Sequence, residues 1–184
     1  MGPFEDFEAM YGPSAECLAP SEEQLRLYRG SVPDLLIQEW LENGWCAWGD
    51  GLLWTVDPAQ FADVIEDWVG FDGAPPIVFL RSAFGHLYFW CEGAVYSLEV
   101  QRGSLARVSD DISRMFTLLC DSEVRDRILQ APLYARALPL LGRISRDECY
   151  AFEPALALGG SGTIDTVRRV RVREHLAILA EIHR

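Results

Sequence analysis

The run Gly159-Gly160-Ser161-Gly162-Thr163 has the composition of a phosphate cradle, in which successive backbone N–H groups close on an anion. A P-loop needs Lys before its final Ser/Thr, and a dinucleotide fingerprint needs a third Gly opening a helix after a strand; neither is present, so a flexible loop is expected. The histidines His86, His175 and His183 show no H-E-x-x-H or Cys/His spacing, and Glu174-His175 lacks a second His four residues on, so no metal ligand is expected. Cys91 with His86 is a conceivable nucleophile pair, but a strand position between Trp90 and Glu92 points to a structural thiol. No catalytic residue, cofactor site or metal site is assigned, and the chain is not expected to be an enzyme.

Carboxylates and aromatics offer a different chemistry, recognition of a partner. Asp57-Pro58 has the N-cap and N1 types of a helix start, and Phe61, Val64, Ile65 and Trp68 then share one helical face. Asp63, Glu66 and Asp67 fall on the opposite face. Most of the six tryptophans (40, 45, 48, 54, 68 and 90) sit at core-facing spacing, and Trp48, near the hairpin tip, is the first expected to be exposed. The expected partner contacts are therefore Asp63, Glu66 and Asp67 on the helix, Asp50 and Trp48 at a hairpin tip, and Glu42 beside it.

The elements that must position these residues follow from periodicity and turn chemistry. Phe4, Phe7 and Tyr11 permit a short docked helix; Ser21 caps a second that Gly30 ends; Leu36, Ile37, Trp40 and Leu41 stripe a third that stops at Gly44. Trp45–Trp48 and Leu52–Val56 flank Gly49-Asp50-Gly51, a hairpin signal. After a Gly/Pro break, the segments 77–83, 86–91, 94–100 and 105–108 predict strands whose connections are too short for parallel crossovers. From Asp110 the pattern is helical, through Ile112, Met115, Phe116 and Leu119, then Leu133, Ala137, Leu140 and Leu141, with a last helix over about 171–183. The expected class is α+β: N-terminal helices with a short β-hairpin, an antiparallel meander, then C-terminal helices.

Charge divides the chain. Of 28 acids, fifteen lie in residues 1–72 against Arg26 and Arg29, a balance of −13, whereas residues 73–184 balance near neutrality at +1; the chain contains no Lys. Two domains are expected on that division, an acidic one over 1–72 and a sheet with helices over 73–184. A field of this sign repels phosphate backbones and anionic headgroups, so direct binding of nucleic acid or membrane is not expected, whereas a basic partner is attracted. Five cysteines without C-x-x-C spacing predict reduced thiols, and the acidic N-terminus lacks the signature of a signal peptide, so a cytoplasmic location is expected.

The stretch YGPSAECLAPSEEQLRLYRGSVPDLLIQEWLENGWCAWGDGLLWTVDPAQFADVIEDW resembles the GAD-like domain. AFGHLYFW, followed by LPLLGRISRDECYAFEPALALGG and EHLAILAEIH, is similar to the C-terminal domain of immunity proteins for type VI secretion nuclease effectors. Together the two resemblances span about residues 4 to 183. They imply a bacterial antidote that binds and blocks a cognate toxin, commonly a DNase with a basic surface, without a catalytic constellation of its own. Pro33, Gly44, Trp54, Pro58, Phe84, Gly85, Trp90, Glu148, Phe152, Pro154, Leu158, Gly159 and Gly160 match positions that define the family's fold. Contact residues in such pairs vary, so none is carried over. Two alternatives remain: a regulatory module holding a small molecule near the Gly159–Gly162 loop, and an enzyme that reverses toxin action.

Overall fold

Seven antiparallel strands lie side by side in chain order: β1 (Ala15–Leu18), β2 (Trp45–Trp48), β3 (Leu53–Thr55), β4 (Ile77–Ser82), β5 (Leu87–Cys91), β6 (Ala94–Glu99) and β7 (Ser104–Ser109). The structure is a computed structural model and describes residues 3–12, 15–70 and 73–184. The tight connection from β5 to β6 places Glu92 and Gly93 at φ 48° and 76°, as a two-residue turn between the facing pair Cys91 and Ala94 requires. At the β2–β3 tip, Gly49, Asp50 and Gly51 all adopt positive φ, which explains the two glycines there.

The helices close over this sheet. They are α1 (Pro3–Tyr11), α2 (Glu22–Tyr28), α3 (Asp34–Glu42), α4 (Ala62–Trp68), α5 (Ile112–Leu119), α6 (Ala131–Leu141) and α7 (Val172–His183). Ser21 caps α2 as expected, with a capping box in which Gln24 returns a bond to the Ser21 N–H at 2.9 Å. In α5 the stripe Ile112, Met115, Phe116 and Leu119 is buried, and the Phe116 ring meets Phe4 at 4.3 Å and Phe7 at 5.2 Å. That contact docks α1, as the spacing of Phe4, Phe7 and Tyr11 implied. The α+β class and element order therefore hold.

Three features depart from the sequence reading. First, β1 adds an edge strand, and β8 (Glu148–Phe152) pairs with β9 (Val167–Arg171) in a second, two-stranded sheet. Second, Cys17 and Cys46 form a disulfide between β1 and β2, while Cys91, Cys120 and Cys149 are free. The pairings Ala15 with Ala47 and Leu18 with Trp45 bring the two cysteines together, so the expectation of five reduced thiols is corrected. Third, the division at residue 72 falls within one sheet, because β3 pairs with β4 through Leu53–Ser82, Trp54–Arg81 and Thr55–Leu80. Residue 72 itself lies outside the described residues.

Arginine joins the two parts. The fully buried Arg81 lays its guanidinium over the Trp54 ring at 4.9 Å and donates to the carbonyls of Ser82, Ser145 and Arg146. Arg146 approaches the same indole at 5.6 Å and donates to the Trp45 carbonyl at 3.0 Å. Burial lowers the Arg81 pKa to about 10, so it stays charged at neutral pH, with carbonyl dipoles and an aromatic face in place of a carboxylate.

Candidate functional site

The six expected contact residues have different fates. Trp48 is 1% exposed, with its ring edge-on to Phe7 at 5.3 Å, so its expected exposure is corrected. The reason is α1, which folds back across the hairpin and covers it.

Three of the acids carry arginine partners from the C-terminal part. Asp63 accepts from Arg173 at 2.6 Å, Asp67 from Arg184 at 2.9 Å and Asp50 from Arg143 at 3.0 Å. The Arg173 hydrogen bond is the largest influence on Asp63, holding its carboxyl below the usual range. Three of the fifteen acids of the first part are thus matched by arginines distant in sequence. Glu66 is exposed and has no ion pair among the described residues.

Glu42 belongs to a different environment. It lines a groove of about 310 Å³ between α1 and α3, with Phe4, Glu5, Glu8, Leu35, Gln38 and Glu39. Four of these residues are carboxylates and none is basic. Helical geometry builds this, since Glu5 and Glu8 are three apart on α1, and Glu39 and Glu42 three apart on α3.

Three of the four carboxylates, Glu8, Glu39 and Glu42, are held by neutral amides. Asn43 donates to Glu39 at 2.9 Å and to Glu8 at 3.2 Å, and Gln38 donates to Glu42 at 2.9 Å. An amide fixes a carboxylate's position without cancelling its charge. Glu39 is only 3% exposed, and burial pushes its pKa up to about 7; the Asn43 bond opposes that rise, while Glu8 and Glu42 add to it. The groove thus gathers carboxylates beside the apolar side chains of Phe4 and Leu35, with no basic residue in its lining.

Sequence reasoning missed Glu8 and Glu39. Glu39 lies within the apolar stripe of α3, where an acid is easily taken for a stray surface residue. The only signal was the spacing of Glu39, Glu42 and Asn43 on one helical face.

The groups weighed for catalysis are poorly placed for it. His86 immediately precedes β5 and Cys91 ends it; both are buried, which pushes the His86 pKa down to about 4 and the Cys91 thiol up. No group of three or more His, Cys, Asp or Glu able to hold a metal occurs among the described residues. Among these residues, no helix is long and apolar enough to cross a membrane.

A helix-covered seven-stranded meander followed by a small helical and two-stranded unit is an architecture shared with a solved protein. The crystal structure of Atu4351 from Agrobacterium tumefaciens superposes with a TM-score of 0.84, over 97% of this chain and 88% of that one, at 17% identity. That likeness establishes the fold alone. No curated protein matches the chain.

The family models specify more. Residues 3–103 match the GAD-like domain, and residues 109–183 match the T6SS immunity protein Tdi1, C-terminal. The chain belongs to the GAD-like domain family and carries a Tdi1-type C-terminal domain, which supports an immunity function and a non-enzymatic role. Between the two matched segments lies most of β7, residues 104–108.

Proposed function

We propose that this protein neutralises a cognate DNA-cleaving effector of the type VI secretion system by stoichiometric binding in the cytoplasm. In this reading the α1/α3 groove receives a cationic side chain of the toxin. The observation that carries the reading is the amide-held pair Glu8 and Glu42 beside the buried Glu39, in a groove that no arginine lines.

A nuclease presents basic surface to hold phosphate, and an acidic surface of the right shape competes for it. Glu42 and Glu66 keep the contact role expected of them. Asp50, Asp63 and Asp67 contribute to the long-range field, but their arginine partners reduce what they offer to a toxin. Charge alone is insufficient for tight capture. A nanomolar constant corresponds to about −12 kcal/mol, whereas exposed ion pairs contribute about 0–1 kcal/mol each. Packing must add the rest, and Met10 on α1 and Leu41 on α3 are exposed apolar side chains on the two helices that form the groove.

The test is capture from the native host followed by inhibition. The tagged chain is expected to retain a basic polypeptide with DNase activity, and to abolish that activity at one equivalent. Recovery of no cationic polypeptide, or protection at far below one equivalent, overturns the reading; the latter outcome indicates an enzyme acting on the toxin.

A further inference from the structure

A second concavity, of about 690 Å³, shares no residue with the acidic groove. It lies among the β6–β7 turn, the π-helical turn Val124–Ile128, the Gly160–Gly162 loop and the end of α7. Although the whole chain carries a net charge of −12, this lining includes Arg102 and Arg127 and not one carboxylate. Both guanidiniums are well exposed, with their ion pairs to Glu99 and Glu123 at the surface and open to exchange.

At its floor is Gln101, which is 0% exposed. Its Nε2 is committed to the Phe84 carbonyl at 3.2 Å and lies 3.3 Å from His175 Nε2, which fixes the amide's orientation. The Oε1 is left buried with no hydrogen-bond partner, and so is Nε2 of His183, another lining residue. A buried acceptor without a donor is costly, so such groups are normally satisfied. Phe152 and Leu156 supply an apolar wall. Gly160 lets the loop fold tightly, since a Cβ there would meet the Pro154 carbonyl.

We propose that this cavity binds a phosphate monoester joined to a ring with an N–H donor, the chemistry of a nucleoside monophosphate. The phosphate bridges Arg102 and Arg127, the base lies against Phe152 and Leu156, and an N–H of the base donates to Gln101 Oε1 once the side chains that cover it move aside. Cavities of this size hold ligands of that class, and paired guanidiniums match a phosphate's geometry. The site is independent of the toxin-binding reading, so either can fail alone.

Calorimetry on the full chain with AMP, GMP, CMP and UMP, their nucleosides and inorganic phosphate tests this. At least one nucleotide is expected to bind below ~100 μM, at least tenfold more tightly than its nucleoside or phosphate alone. The exposed double variant Arg102→Ala/Arg127→Ala is expected to keep the fold by circular dichroism and to lose at least tenfold in affinity. Gln101→Met, checked in the same way for folding, is expected to weaken the nucleotide but not inorganic phosphate. No binding by any of the four nucleotides, equal binding of a nucleoside or of phosphate, or full affinity in the double variant overturns the proposal.

Discussion

Replacing Glu39 by Gln should stabilise the free protein at alkaline pH and leave its stability unchanged in acid. The side chain is 3% exposed, holds an amide bond from Asn43, and has its pKa pushed up from an ordinary 4.5 to about 7. A folded-state pKa above the unfolded one means that the folded state binds the extra proton. The associated stability is therefore fully present below about pH 4.5 and is lost as pH rises through 7. The displacement corresponds to about 3 kcal/mol, and solvent in the adjoining groove reduces this to about 1–3 kcal/mol. Urea unfolding of wild type and Glu39→Gln at pH 4 and pH 8 isolates the effect, because every other titration is common to both proteins. The variant is expected to gain about 1–3 kcal/mol at pH 8 and nothing at pH 4. A variant no more stable than wild type at pH 8 refutes the argument. The same logic extends to binding: a cation seated in the groove draws Glu39 back toward ionisation, so capture near pH 7 releases a proton. Calorimetry in buffers of different ionisation enthalpy detects it.

Other perturbations separate structural from recognition roles. Cys17→Ser opens a loop with a sequence separation of 29, and should cost about 3–4 kcal/mol in denaturant titrations without reductant while abolishing any further effect of reductant. Trp48→Ala removes a buried indole packed on Phe7, so a loss of about 3–5 kcal/mol is expected in thermal or urea unfolding. An unchanged midpoint would show that the ring is not in the core. Arg173→Ala with Arg184→Ala severs two exposed pairs between α4 and α7, for a combined loss of about 0–2 kcal/mol that shrinks in high salt. A loss above that range, or one insensitive to salt, contradicts the surface-pair description.

Much of the fold was legible because local chemistry and tertiary packing agree. The strand pattern of residues 77–108, the α5 stripe and the cap at Ser21 each specify an element from neighbours alone. What escaped depends on residues distant in the chain. β1 is short and is recognisable only by its pairing with β2 and its disulfide partner Cys46. The hairpin of β8 and β9 joins segments separated by the Glu153–Thr166 loop, so β9 reads locally as the approach to a helix. The acidic face of α4 was visible on a helical wheel, but its neutralisation was not, since Arg173 and Arg184 lie more than a hundred positions away. The burial of Trp48 likewise follows from α1 folding back, which no spacing near the hairpin encodes. Glu42 was identified for its charge, yet the groove that gives it meaning required Glu8, on α1, more than thirty positions away.

The most direct measurement is the association rate of the captured effector with wild type and with Glu8→Lys/Glu42→Lys, across a range of ionic strength. The account predicts fast, salt-sensitive association for wild type, and a rate at least tenfold lower with a flattened salt dependence for the variant. Asp63→Asn/Asp67→Asn, which removes field but no groove contact, should slow association by a clearly smaller factor. Equal rates for wild type and Glu8→Lys/Glu42→Lys at low salt would contradict the central claim that the α1/α3 groove receives the toxin.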